Sequence, residues 1–430
     1  MQDFHSELHL IRKKLILTSA GITHSLKTLA KWLICSVIIG FLIGIIGSLF
    51  YWAIHAVTEY RLSHPYVIYL LPVGGLMIIG LYHVLNSLKN SGTNLVIKAI
   101  QSDEEVPLKV SLLIIISTLI THLCGGSAGR EGAALQIGGS FGNHIAKMMH
   151  FDSRDTKILI MCGMSACFSA LFGTPMAAAI FSMEVVSVGL MHYAAIVPCV
   201  ISSLIAFGVA GFFDIAPTAF IISEIPSLSV LTGARAIILA GLFAIVSILF
   251  CVVLHTNEWL FTKYFKNPYI KILVSACLIL IINLCLRTTD YMGAGGSVIA
   301  RSFTQSEAWY VFLLKLILTS VTLSGGFKGG EIVPSLFIGA TLGSFLAPMF
   351  NLPISLCAAC GMVGVFCGVT NCPITSLLMA IEMFGTGAIH YCILVIAVSY
   401  LLSGYYSLYS SQKIIYSKYK PKYINRAAKH

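Results

Sequence analysis

Four short segments combine groups that can hold or move charge with residues that let the backbone come close. They are Ser91-Gly92-Thr93-Asn94-Leu95, Gly129-Arg130-Glu131-Gly132-Ala133, Gly293-Ala294-Gly295-Gly296-Ser297 and Gly329-Gly330-Glu331-Ile332-Val333-Pro334. Each reads as a small or glycine-rich turn that opens an apolar helix. A helix start leaves about four backbone N–H groups unpaired and carries the positive end of the dipole, so at membrane depth it attracts an anion. Glycine allows close approach, and neutral donors hold the ion without a lysine whose full charge would trap it. The same glycines would also serve close helix packing, which in membranes favours small residues. Four such segments in related places favour anion binding over packing alone. Two of them contain a carboxylate, Glu131 and Glu331, and an isolated carboxylate inside a bilayer is costly enough to mark a functional position.

The elements that must position these groups are membrane helices. The chain of 430 residues is 57% hydrophobic and only 10% charged, against about 25% charged residues in soluble domains. Long apolar runs cover Trp32 to Ile54, Tyr66 to Val84, Leu108 to Cys124, Tyr193 to Phe213, Ala236 to Leu254, Ile270 to Cys285, Val311 to Leu323 and Tyr391 to Leu402. Others are shorter and broken by Gly, Pro or a carboxylate. Arg12, Lys13, Lys14, Lys27 and Lys31 precede the first span, and Lys413, Lys418, Lys420, Lys422, Arg426 and Lys429 follow the last. By the positive-inside rule both ends face the cytoplasm, so the net charge of +10 is chiefly a topology signal rather than a nucleic-acid footprint. Thirteen scattered cysteines match no zinc or redox spacing, and no structural disulfide is expected.

The halves share their punctuation. Gly125, Gly126, Gly129, Glu131 and Gly139 recur at a constant offset as Gly325, Gly326, Gly329, Glu331 and Gly339. Cys162, Gly163, Met164, Phe168, Pro175 and Glu184 reappear as Cys360, Gly361, Met362, Phe366, Pro373 and Glu382, and Val96-Ile97 pairs more faintly with Val298-Ile299. The expected organisation is a basic N-terminus (1–31), two membrane repeats (32–213 and 232–410) and a basic tail (411–430). Broken helices at matching positions favour inverted repeats with an ion site near the midplane. Glu131 and Glu331 should then reach one region from opposite sides, whereas Glu184 and Glu382 read as structural acceptors for backbone ends.

These motifs, in this order, resemble the CLC family of chloride channels and anion/proton antiporters over nearly the whole chain. Gly129-Arg130-Glu131-Gly132 with Gln136-Ile137-Gly138 is similar to its gating-glutamate motif, Ser91-Gly92 to its first filter segment and Gly329 to Pro334 to its third. The resemblance implies an all-α polytopic membrane protein with the CLC-like inverted-repeat fold of short, tilted and broken helices. It also implies a homodimer with a pore in each subunit. Glu131 would be the gate, occupying an anion position when ionised and leaving it when protonated. Ser91, Gly92, Gly132 and the amides around Glu331 and Ile332 would bind the anion. Tyr409 would add a phenolic donor, with Tyr405 and Tyr406 as neighbouring alternatives. A salt bridge with Arg130 is the structural alternative for Glu131, disfavoured because adjacent side chains at a helix start point apart.

The pattern departs from the family's antiporters at Val185, where those carry a second, inner glutamate. Conversely, Gly326-Phe327-Lys328-Gly329-Gly330-Glu331 resembles the fluoride-exporting branch, in which a glutamate here is distinctive, giving Glu331 a proton-coupling or anion-linked role. Val333 and Ser91 lean toward chloride, Asn94 toward fluoride. The expected function is a CLC-type channel or transporter for chloride or a related halide in the cell membrane, with a fluoride/proton antiporter as the alternative. An intramembrane enzyme lacks a His-x-x-Glu-His or Ser/Lys arrangement, a metal-cation carrier would need acidic clusters, and a purely structural protein would break helices without return. No organic cofactor and no metal is expected.

Overall fold

Because glycine, proline and buried carboxylates interrupt the apolar stretches, the chain forms many helices of unequal length instead of uniform spans. The computed structural model describes residues 2–88, 92–102 and 104–429, with side chains from residue 21 onward. Ser91 and the side chains of Arg12, Lys13 and Lys14 lie outside the described residues. Eight helices make up the first part: α1 (Gln2–Ser63), α2 (Leu71–Val84), α3 (Thr93–Gln101), α4 (Leu108–Leu123), α5 (Glu131–Met148), α6 (Ser153–Phe172), α7 (Pro175–Glu184) and α8 (Ile196–Phe212). Eight more follow in corresponding order: α9 (Val230–Tyr264), α10 (Pro268–Leu286), α11 (Gly296–Arg301), α12 (Val311–Gly325), α13 (Ile332–Phe350), α14 (Ile354–Thr370), α15 (Pro373–Phe384) and α16 (Ile389–Leu402). Six segments of these helices are long and apolar enough to cross a membrane, and six shorter ones are also apolar.

Both basic ends join the rest of the structure. Helix α1 runs from the basic start into the first apolar run without a break. The tail is not helical: β2 (Lys413–Tyr416) pairs antiparallel with β3 (Tyr423–Ala427) and parallel with β1 (Ser187–Val188). Lys418 fixes this tail to the helices, donating to the carbonyl of Tyr400 at 2.9 Å and to the side chain of Asn371. Burial of its ammonium lowers the pKa to about 8.

Glycine sets the closest helix crossings. A Cβ on Gly138 of α5 would collide with the carbonyl of Gly163 on α6, and one on Gly163 with the carbonyl of Gly138. The second half repeats this between Gly339 of α13 and Gly361 of α14, and again with Gly142 against Leu159 and Gly343 against Cys357. These pairs shift the repeat register. Gly129 and Gly330 bond reciprocally, each N–H to the other's carbonyl at 2.7 Å, in an isolated antiparallel bridge. Gly125 and Gly326 both have positive φ, +83° and +111°, and α5 and α13 begin at Glu131 and Ile332. Across this stretch the backbone equivalents therefore lie one residue beyond the identical-letter match: Glu131 corresponds to Ile332, and Glu331 to Arg130. Neighbouring glycines at 125–126 and 329–330 fit either register, which hid the slip.

The inversion itself is visible in α7 and α15. Glu184, ending α7, accepts from Ile374 N–H (3.1 Å), Thr375 N–H (2.8 Å) and the Thr375 hydroxyl (2.6 Å) at the start of α15. Glu382, near the end of α15, accepts from Met176 N–H (2.7 Å) and Ala177 N–H (2.9 Å) at the start of α7. Each carboxylate satisfies the orphan donors of the other helix. Such reciprocity requires the related helices to run antiparallel, and it accounts for both glutamates as structural acceptors.

Candidate functional site

The Gly129–Gly330 bridge brings the tips of α5 and α13 together. Glu131 is the first residue of α5 and is buried. One carboxylate oxygen accepts from Arg130 N–H at 3.0 Å, and the other has no hydrogen-bond partner among the described residues. The amide of Val333, in the first turn of α13, also faces this carboxylate. The side chain thus lies against the N-terminus of the opposing helix, where unpaired amides favour negative charge.

Arg130 is closer to Glu131 than adjacent residues at a helix start were expected to be: its Nε stands 3.6 Å from a carboxylate oxygen. That exceeds hydrogen-bond length. The guanidinium is committed elsewhere, donating to the Leu171 carbonyl at 3.3 Å and lying 4.4 Å from the centre of the Tyr51 ring.

Glu331 caps α13. A Cβ on Gly132 would stand 3.3 Å from a Glu331 carboxylate oxygen and 2.9 Å from the Cα of Gly330, so any residue but glycine at 132 would press into this seam. The two glutamates face different cavities. Glu131 and Arg130 line one of about 480 Å³ with Arg61, His122, Asp290 and Gly295. Glu331 lines another of about 240 Å³ with Gly92, Asn94, Gln136, His255 and Lys328. Ser410 puts the second cavity beside the C-terminal tail, whereas Arg61, in the last turn of α1, puts the first at the far end from the chain start. Glu131 and Glu331 therefore reach the common seam from opposite sides.

Tyr409 is fully buried, its hydroxyl makes no hydrogen bond among the described residues, and it lies within electrostatic reach of both glutamates. Tyr405 is otherwise engaged, its hydroxyl 2.6 Å from that of Ser417. Asn94 fastens the turn before α3 to the tail by accepting from Ser411 N–H at 2.9 Å. Gly92, at φ +62° before α3, lines the Glu331 cavity, and Ile332 is the first helical residue of α13. The Gly293–Ser297 turn opens only the six-residue α11 and contributes Gly295 and Ser297 to the cavity wall.

Two motif residues that carried no role of their own in the sequence also stand here. The Thr93 hydroxyl donates to the Gly132 carbonyl at 3.4 Å, and Gln136 donates to the same carbonyl at 3.1 Å, its own carbonyl oxygen having no partner among the described residues. Arg61 and His122, which the motifs did not include, line the other cavity, and Lys315 stands behind them on the Gly293 carbonyl. His122 and Lys315 interrupt apolar runs, a signal that was available in the sequence.

Residues 74–404 match the family described as voltage gated chloride channel, and the chain belongs to that family. It is 34% identical over 399 residues to a chloride/fluoride channel protein of Pseudomonas syringae pv. tomato, covering 91% of this chain and 88% of that one. Among solved structures it is similar to a CLC-type fluoride/proton antiporter, with a TM-score of 0.86, 32% identity, and 89% and 98% of the two chains covered. A slow cyanobacterial Cl⁻/H⁺ antiporter shares the fold at a TM-score of 0.72 and 18% identity, over 86% of this chain and 94% of that one.

Proposed function

We propose that this protein exchanges a small halide, fluoride in the first instance, for protons across the membrane. The observation that carries the reading is the pair of glutamates on opposed helix tips, one at the inner end of each cavity. Glu131 is the gate: ionised, it fills the position in front of the α13 amides, and protonated, it leaves that position to the anion. Glu331 is the coupling carboxylate on the other side. Gly92, Gly132, Ile332 and Tyr409 line the anion's route, with Ser91 supplying a hydroxyl at the filter turn. Fluoride is favoured by Glu331 itself and by the relatives above 30% identity, one named as a CLC-type fluoride/proton antiporter and the other as a chloride/fluoride channel protein. Chloride is the second reading, favoured by the apolar Val333 beside Glu131.

Val185 is buried and its carbonyl accepts from Gln412 at 3.0 Å. It offers no proton acceptor, so protons reach Glu331 through its own cavity. The chain works as a homodimer with a pathway in each subunit, from repeats spanning 32–213 and 232–410, with both termini in the cytoplasm of the cell that carries it in its plasma membrane.

The test is flux from purified protein in liposomes, measured for fluoride and chloride with and without a proton gradient. Uphill fluoride movement driven by the gradient is expected. Glu131→Gln that leaves flux and its pH dependence unchanged rejects the gate.

A further inference from the structure

The cavity in front of Glu131 ends on positive charge that no carboxylate neutralises. Arg61 is only 5% exposed, and among the described residues it has no acidic partner within ion-pairing distance. One terminal nitrogen donates to the His122 carbonyl, while Nε has no hydrogen-bond partner among the described residues. Lys315, fully buried, likewise has no acidic partner among the described residues: it donates to the carbonyls of Tyr291 at 3.1 Å and Gly293 at 2.6 Å and lies 5.1 Å from the centre of the Phe337 ring. The two carboxylates that share the cavity with Glu131 do not discharge the patch: Asp290 is bonded to Arg301 at 3.0 Å, and Glu59 makes no ion pair with Arg61.

Gly293 holds these groups together. At φ +57° it presents a bare Cα, and a Cβ built there would stand 3.4 and 3.5 Å from the two terminal nitrogens of Arg61 and 3.6 Å from the His122 ring. His122 bonds through Nδ1 to the Thr118 carbonyl at 2.9 Å, which puts the hydrogen on Nδ1 and leaves Nε2 as a buried acceptor with no partner among the described residues. A cationic donor and a neutral acceptor, both enclosed and both unsatisfied, are thus packed on one glycine. Burial of an unpaired cation is strongly unfavourable, and the cost is relieved when an anion moves beside it.

We infer that Arg61 and His122 form a second halide site, ahead of the Glu131 position, that receives a halide still carrying one water. The halide lies on the Arg61 N–H groups, and its water donates a hydrogen to His122 Nε2. Lys315 and Gly293 are positioning residues that hold the arginine against the loop. The site rests on the reading of the chain as a halide transporter, and it sets the affinity with which the far-side cavity captures its ion.

The experiment measures flux through full-length protein in oriented liposomes while fluoride, and separately chloride, is varied on one side at a time. Arg61→Gln is expected to raise the half-saturating concentration about tenfold from the Arg61 side only, the size expected for a lost charge-assisted hydrogen bond. Arg61→Lys is expected to recover part of that loss. Half-saturation unchanged on both sides, or changed equally on both, overturns the site. If wild-type protein passes neither halide, the transport reading fails, and the site is judged alone by calorimetric titration with sodium fluoride and sodium chloride. Equal affinity in wild type and Arg61→Gln then overturns it, and a tenfold weaker variant upholds it.

Discussion

Replacing Glu184 by Gln tests whether the intramembrane glutamates at the ends of α7 and α15 are structural. Glu184 serves three donors at 2.6–3.1 Å. Glutamine keeps one carbonyl oxygen, which at best retains the two Thr375 bonds, and turns its amide N–H₂ against the N–H of Ile374. One bond to a charged acceptor is lost, about 1.5–3 kcal/mol, together with attraction between the carboxylate and the α15 dipole of about 0.3–1 kcal/mol. The expected destabilisation is about 2–4 kcal/mol. At about 2.1 cal/mol/K of unfolding entropy per residue, a cooperative unit of 430 residues would melt about 2–4 °C lower. Thermal unfolding in detergent, followed by intrinsic fluorescence at one fixed scan rate, measures this. Glu382→Gln should shift in the same direction. Thr375→Val, which removes only the hydroxyl donor, should cost about 1.5–3 kcal/mol, and has no counterpart at Ala177. A Glu184→Gln protein that melts with wild type yet has lost transport would refute the assignment and move Glu184 onto the ion route.

Gly163→Ala and Gly361→Ala each drive a methyl group into a facing backbone carbonyl, and each should lower stability by about 1–3 kcal/mol, seen as a lower midpoint in fluorescence-detected size-exclusion melts. Tyr409→Phe deletes a buried hydroxyl with no partner among the described residues, so it should melt no lower than wild type while its half-saturating halide concentration rises several-fold in liposome flux. Gly132→Ala presses on Gly330 and Glu331 and should reduce flux more than it reduces the yield of folded protein.

The chemistry was more legible than the geometry. A carboxylate between glycines in an apolar chain is costly wherever it lies, so Glu131 and Glu331 stand out before any fold is known, as do the turns that open α3, α5 and α13. The register between halves was less legible, because Gly125-Gly126 and Gly329-Gly330 match in two alignments, and it takes the helix crossings and the reciprocal Gly129–Gly330 bonds to choose between them. Arg61 was invisible as a site residue: it follows the first apolar run like an ordinary flanking charge, and its meeting with His122 and Gly293 joins three distant stretches of chain. The tail strands were missed for a similar reason, since β2 finds its partner at Ser187–Val188.

The account stands most directly on proton movement recorded together with fluoride efflux from liposomes holding wild-type or Glu131→Gln protein. Wild type should take up protons as fluoride leaves, and Glu131→Gln should show no proton uptake coupled to fluoride. Coupled uptake at the wild-type ratio in Glu131→Gln would contradict it.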